Sequence, residues 1–225
     1  MNLSGFAAQC TDPTILPYWP VWAAAQFAST DAGKPAIMPV HVWQDGDFIQ
    51  IESTDGFRAF RYRLPAHGPY RVNHGEVLID AKALKKPVSK ACVLSVSDKS
   101  TRATFYDRSF NELSSVALSR DFVMKSGHNY VYPKLNQLYP TEFTNSGDPF
   151  AFGASLLKTI CTVAEKLSVN GNLKVQCNKP NLPYVLTTAY DDPFINSDYS
   201  VLEFLLRSEE HTSELQSQFR ISYAV

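Results

Sequence analysis

Asp55, His67, His74 and Asp107 are the residues whose types could exchange a proton, since a carboxylate and an imidazole need only meet in space to act as acid and base. Nothing in their spacing brings them together. The five histidines (His41, His67, His74, His128 and His211) form no H-E-x-x-H or H-x-x-x-H pair that could hold a metal from one helix face. The four cysteines, Cys10, Cys92, Cys161 and Cys177, lack C-x-x-C spacing and sit in apolar surroundings, so they are expected to be small, reduced core residues. A G-x-S-x-G elbow, a Walker loop and a G-x-G-x-x-G turn are also missing. The expectation is a protein without catalytic residues, cofactor or metal.

Charge offers a second chemistry. Lys82, Lys86 and Lys90 recur every four residues, with Lys85 beside them. On a helix opening at an Asp80 N-cap they would share one face, opposite Ala81, Leu84 and Val88. Pro87 disturbs that register, because within a helix it removes a hydrogen bond and kinks the chain. Lys158 and Lys166 stand similarly on a later helix, diluted by Glu165. Residue types alone make these lysines a solvated surface, as charge runs generally are. The whole chain, with 21 basic against 22 acidic residues, excludes a protein that coats nucleic acid with its entire surface.

The elements that must position these groups repeat. WPVWAAAQFAS (19–29) reads as a short helix, followed by strands in AIMPVHVW, DFIQIEST and GFRAFRYRL, the first two joined across Asp45-Gly46. Asp80 opens a second helix, AKALKKPVSKA, followed by VLSVSD, TRATFYD and NELSSVALS. FGASLLKTICTVAEKL is the third helix, followed by NLKVQCN, PYVLTTA and YSVLEFLL. One helix plus three strands recurs at a roughly fixed period, which predicts an α+β fold of antiparallel sheets carrying helices on one face. With 225 residues, 44% hydrophobic, the chain can bury real cores. No apolar run reaches the roughly 18 residues of a membrane span, and the N-terminus lacks a signal peptide's basic start, so a cytoplasmic location is expected.

The last segment breaks this rhythm. RSEEHTSELQSQFRISYAV resembles the peptide encoded by one reading frame of the adapter ligated to DNA in short-read sequencing libraries. The match covers Arg207 to Ser217 and Ile221 to Val225, leaving Gln218, Phe219 and Arg220 for the index. Residues 207–225 are therefore expected to be non-native. Without Arg207, Arg220, Glu209, Glu210 and Glu214, the rest is formally neutral.

In order along the chain, the remaining motifs resemble the bacterial-type DNA sliding clamps, the β subunit of DNA polymerase III. STDGFR (53–58) is similar to the T-D-G-x-R segment of their central domain, and GEVLIDAKALKK to its second helix entry. VYPKLNQLYP resembles the exit from that domain, FGASLLKTI a helix of the last domain, and YSVLEFLL the strand that runs into a terminal M-P-V/M-R. The resemblance implies the DNA-clamp fold, with a lead segment 1–14, a two-unit domain 15–143, a third unit 148–206 and the tail 207–225. Such clamps have three domains of two units each. Three units and no terminal M-P-V/M imply a fragment or a shortened phage version.

The resemblance further implies a processivity factor that encircles duplex DNA as an oligomeric ring and receives polymerase and clamp loader through linear motifs. Its DNA-facing residues would be Lys82, Lys85, Lys86, Lys90, Lys158 and Lys166. Its apolar groove for partner peptides would comprise Ile37, Thr54, Gly56, Phe57, Arg58, Ala59, Pro140 and Leu205. Ala59 replaces a commonly larger aliphatic residue there. An alternative is a virion or adhesion module, in which Trp19, Trp22, Trp43 and the eleven tyrosines build an aromatic binding face; core packing accounts better for most of them.

A chain ending at Leu206 is expected to keep its stability in urea unfolding to within about 2 kcal/mol, below a typical core deletion. A larger loss would make the tail part of the fold.

Overall fold

The computed structural model describes residues 2–9, 14–66, 69–72, 75–97, 101–119, 132–139, 154–176, 183–194 and 201–206. Four helices occur among them: α1 (Leu3–Gln9), α2 (Tyr18–Phe27), α3 (Ala81–Leu84) and α4 (Ala154–Leu167). The strands are β1 (Thr14–Pro17), β2 (Pro39–Asp45), β3 (Phe48–Thr54), β4 (Arg58–Pro65), β5 (Glu76–Asp80) and β6 (Val93–Ser97). They continue with β7 (Arg102–Tyr106), β8 (Glu112–Ala117), β9 (Lys174–Gln176), β10 (Tyr184–Ala189) and β11 (Val201–Leu206). Two antiparallel sheets result, one ordered β1-β6-β7-β8 and the other β5-β2-β3-β4-β11-β10-β9. The adapter-like tail, like Cys10, His67, His74, His128, Pro140, Cys177 and His211, lies outside the described residues.

The first two units exchange strands. β1 precedes α2 but pairs with β6 of the second unit, while β5 precedes α3 and pairs with β2 of the first. Each unit is thus a strand, a helix and three strands, and its leading strand belongs to the other unit's sheet. Gly46, at φ +56°, supplies the tight reversal between β2 and β3, where Asp45 faces Phe48.

Alternation along the seven-stranded sheet sorts its residues onto two faces. Val40, Val42, Ile49, Ile51, Phe60, Tyr62, Leu64, Leu202, Phe204 and Leu206 face the main core. There α2 packs on β3 and β4. That helix carries no charge and is buried on nearly all sides, so packing rather than amphipathicity holds it. The Ser53 hydroxyl donates to the Ala24 carbonyl, fixing α2 on the sheet. The rings of Phe27, Phe60 and Phe204 lie within 5.6–5.7 Å of one another, tying α2, β4 and β11 together. The lead segment also joins the core: α1 buries Leu3 and Phe6, and Phe6 stacks on Phe110.

The second helix departs from expectation. Asp80 does cap it, accepting from the Lys82 amide at 2.9 Å, but the helix closes after four residues. Pro87 has no N–H to donate and disfavours a helical conformation at Lys86, so the chain leaves the helix here. Side chains of α2 satisfy the freed backbone: Trp22 Nε1 and Gln26 Nε2 donate to the Lys85 carbonyl at 3.3 Å, and the Val88 amide donates to the Tyr18 hydroxyl at 2.7 Å. Lys86 and Lys90 therefore share no helical face with Lys82, and Lys90 takes the left-handed φ of +66°. Cys161 is exposed rather than core, because α4 turns Ile160, Val163 and Ala164 inward, while Cys92 is half-buried; both are free thiols.

Phe204→Ala should cost about 3–5 kcal/mol in urea unfolding, as removal of a buried phenyl does. A cost below about 1 kcal/mol would mean that β11 is not part of the core.

Candidate functional site

The STDGFR segment builds a locked turn between β3 and β4. The Thr54 hydroxyl donates to the Arg58 carbonyl at 2.8 Å and accepts from the Gly56 amide at 3.0 Å. Asp55 Oδ1 accepts from the amides of Phe57 and Arg58, both at 2.9 Å, and Oδ2 accepts from Arg58 Nε at 2.8 Å. Gly56 sits at φ +93°, a conformation that side chains strain to reach. Asp55 is thus spent on the turn rather than free for acid/base work. Asp107 is likewise spent, accepting from the amides of Ser109 and Asn111.

Next to this turn, β4 and β11 pair antiparallel with Ala59 opposite Leu205 and Arg58 opposite Leu206. Their junction opens a shallow cleft lined by Thr54, Gly56, Phe57, Arg58, Ala59, Leu138, Pro183 and Leu205. Six of the eight groove residues named from the sequence meet here. Ile37 does not line it: it is buried in a 3-10 turn (Pro35–Ile37), where its carbonyl accepts from the Ser29 amide. Pro140 lies outside the described residues. Leu138 and Pro183 were not singled out by the sequence, although Leu138 belongs to VYPKLNQLYP and Pro183 opens PYVLTTA. Cations border the cleft: Lys34 Nζ lies 5.6 Å from the Phe57 ring and the Arg58 guanidinium 5.5 Å from Phe27.

Beneath the cleft a second, smaller core joins Ala59, Val185 and Leu205 of the sheet to Tyr132, Leu135 and Tyr139. The segment 132–139 lies across the sheet face turned away from the main core. Arg61 Nε pairs with Glu203 Oε2 at 2.6 Å, and its guanidinium lies 3.6 Å from the Tyr139 ring centre. Burial pushes the Tyr132 and Tyr139 hydroxyls well above the ordinary phenol pKa.

The lysines divide. Lys82, Lys86, Lys90, Lys158 and Lys166 are exposed. Lys85 is half-buried, and its pKa is lowered by that burial and by the positive charge of Arg58, which places it with the groove rather than with the others. Lys166 Nζ lies 5.0 Å from both the Trp19 and Trp22 rings, so α4 sets a charge over the uncharged α2. No helix among the described residues is long and apolar enough to cross a membrane.

No protein-family model and no curated protein matches the sequence. Solved structures do. The β subunit of DNA polymerase from Streptococcus pyogenes superposes with a TM-score of 0.61 at 13% identity, over 89% of this chain and 66% of that one. A sliding clamp from Pseudomonas aeruginosa, bound to griselimycin, gives 0.56 at 10% identity, over 86% and 64%. The Helicobacter pylori clamp bound to a DNA ligase peptide gives 0.56 at 9%, over 88% and 66%. At such identities the likeness establishes the fold: this chain has the fold of the bacterial DNA polymerase III β sliding clamps, and it spans about two thirds of their length.

Asp55→Ala should destabilise the protein by about 1.5–3 kcal/mol, the range for hydrogen bonds to a charged group, and should perturb the amides of Phe57 and Arg58. Unchanged stability and amide shifts would contradict the turn's role.

Proposed function

We propose that this chain is a non-enzymatic sliding-clamp component, which takes linear peptide segments of replication proteins, polymerase and clamp loader among them, into the cleft between β4 and β11. The observation that carries the reading is that cleft: the turn residues and Leu205, remote in sequence, meet in one apolar depression bordered by cations. A peptide laid there buries apolar side chains against Ala59, Leu138, Pro183 and Leu205. One of the similar clamps holds a DNA ligase peptide, which supports the same class of occupant here.

The division into a two-unit domain 15–143 and a half-domain 148–206 belongs to this proposal, as does assembly with further copies into a ring around duplex DNA. The exposed lysines suit such a ring, because loose cations attract phosphates without fixing a register. The aromatic-face alternative is disfavoured by Trp22, which lies in the core and is only 5% exposed.

In an NMR titration, a peptide carrying the clamp-binding segment of a bacterial replicative polymerase should shift Thr54 to Ala59, Leu138 and Leu205, and Phe57→Ala should weaken it about tenfold or more. Binding at a remote surface would end the groove assignment. For DNA, duplex affinity should be weak, independent of sequence and reduced steeply by salt, and further reduced in Lys82→Glu/Lys86→Glu. Tight binding to one DNA sequence would contradict a clamp.

A further inference from the structure

The face of the seven-stranded sheet that carries the cleft also carries a row of charges running toward it. His41 on β2 places Nδ1 2.8 Å from Glu52 Oε1 on β3 and Nε2 2.9 Å from Glu76 Oε1 on β5. Carboxylate oxygens only accept, so both bonds require both ring nitrogens to carry protons: the bridging species is imidazolium. His41 is only 8% exposed and Glu52 only 2%, so that half of the bridge is shielded from water, while the Glu76 side chain, 31% exposed, reaches solvent. Glu52 stands opposite Arg61 on β4, which pairs with Glu203 on β11.

Two tyrosine rings lie on this row. Tyr132 packs on the His41 ring with centroids 4.4 Å apart, and Tyr139 receives the Arg61 guanidinium. The segment between them carries Leu135, which seals the small core, and Leu138, which lines the cleft. Each end of this wall therefore rests on a cation, the buried His41 at one end and the half-buried Arg61 at the other. Arginine keeps its charge at any working pH, whereas histidine does not.

We propose that His41 and Arg61 are positioning residues of the groove, each holding one end of the Tyr132–Tyr139 segment through a cation on a tyrosine ring, and that deprotonation of His41 releases its end and displaces the wall at Leu138. A neutral imidazole retains one N–H, so one of Glu52 and Glu76 loses its donor; Glu52 Oε2 already has no partner among the described residues. The imidazolium charge that faced the 2%-exposed Glu52 is then gone, whereas Glu76, with its side chain 31% exposed, keeps contact with water, and the Tyr132 ring loses its cation. The titratable and charged groups facing His41 are Glu76 from β5, Glu52 from β3 and Tyr132 from the covering segment, with Arg61 and Glu203 next in the row; Trp43 on its own strand does not titrate. Burial alone would lower the imidazole pKa, but the bonds to Glu52 and Glu76 outweigh it and raise the pKa above the ordinary value of 6.5. A raised pKa means that the latch is at full strength below the ordinary value and is lost as pH climbs through the raised one.

The inference rests on the peptide-groove reading, and one experiment separates the two. The protein is labelled on leucine methyls and imidazole nitrogens and titrated by NMR upward from about pH 6, just below the ordinary imidazole pKa, with affinity for the polymerase peptide measured at each point. The His41 ring should start doubly protonated, the Leu138 methyls should shift with the same midpoint as the ring, and the peptide should bind about tenfold more weakly above that midpoint. Tyr132→Phe should preserve this coupling. Tyr132→Leu should abolish it, leaving the His41 titration in place while Leu138 and the affinity cease to follow pH. Leu138 methyls that ignore the His41 titration in the wild-type protein would overturn the latch, as would coupling that survives in Tyr132→Leu. Leu138 methyls that follow His41 while the peptide binds elsewhere or not at all would uphold the latch and reject the groove reading.

Discussion

The pairing of β4 with β11 is the contact on which the rest depends. It joins the first unit to the last, and its two faces do different work because side chains alternate across a strand. On one face Phe60 and Phe204 meet Phe27 of α2, closing the main core. On the other, Ala59 and Leu205 form the floor of the cleft while Arg61 and Glu203 pair beside it. A register slip of one residue would exchange these sets, driving the arginine into the core and a phenylalanine into the cleft. Core packing and site geometry are therefore one constraint: the energy that buries the three rings also fixes where Leu205 stands.

What the sequence revealed follows from how far each signal reaches. The meander strands were legible because their alternation is local, and the Thr54–Arg58 turn because its bonding is nearly complete within five residues. β1 and β5 escaped notice: Thr14–Pro17 is four residues long and ends in proline, and Glu76–Asp80 read as the entry to a helix. Both are held by pairing with the other unit, which no local pattern records. The helical register expected for Lys82, Lys86 and Lys90 does not form, and the reason is local. Pro87 ends the helix outright, since α2 offers the Lys85 carbonyl and the Val88 amide better partners than another helical turn would.

The same distinction governs the cleft. Residues from one continuous turn were identified together, whereas Leu138 and Pro183 reach it only through folding of distant segments. The row formed by Glu76, His41, Glu52, Arg61 and Glu203 was invisible for a stronger reason. Its members stand on five strands, and each is an ordinary polar residue at an alternating position. Only the register of the sheet makes them neighbours.

The arrangement of charge around α2 bears on how such a fold could hold DNA without gripping it. That helix has no charge of its own, and Trp19 and Gln26 are its only half-buried residues. One cation reaches it from α4, where Lys166 rests over the two tryptophan rings, and another from β4, where the Arg58 guanidinium lies 5.5 Å from Phe27. Among the described residues Lys166 has no carboxylate partner, and an ammonium above aromatic faces keeps part of its hydration, so in the proposed clamp it would stay available to a phosphate. Lys85 has moved the other way, toward Arg58 and the groove, and its half-burial makes its charge costly. Lysines held this loosely would give the proposed clamp an attraction that salt weakens and that no base sequence biases. In the proposed clamp that weakness is what mobility requires, because a ring retained by its topology needs only enough charge to stay centred on the duplex.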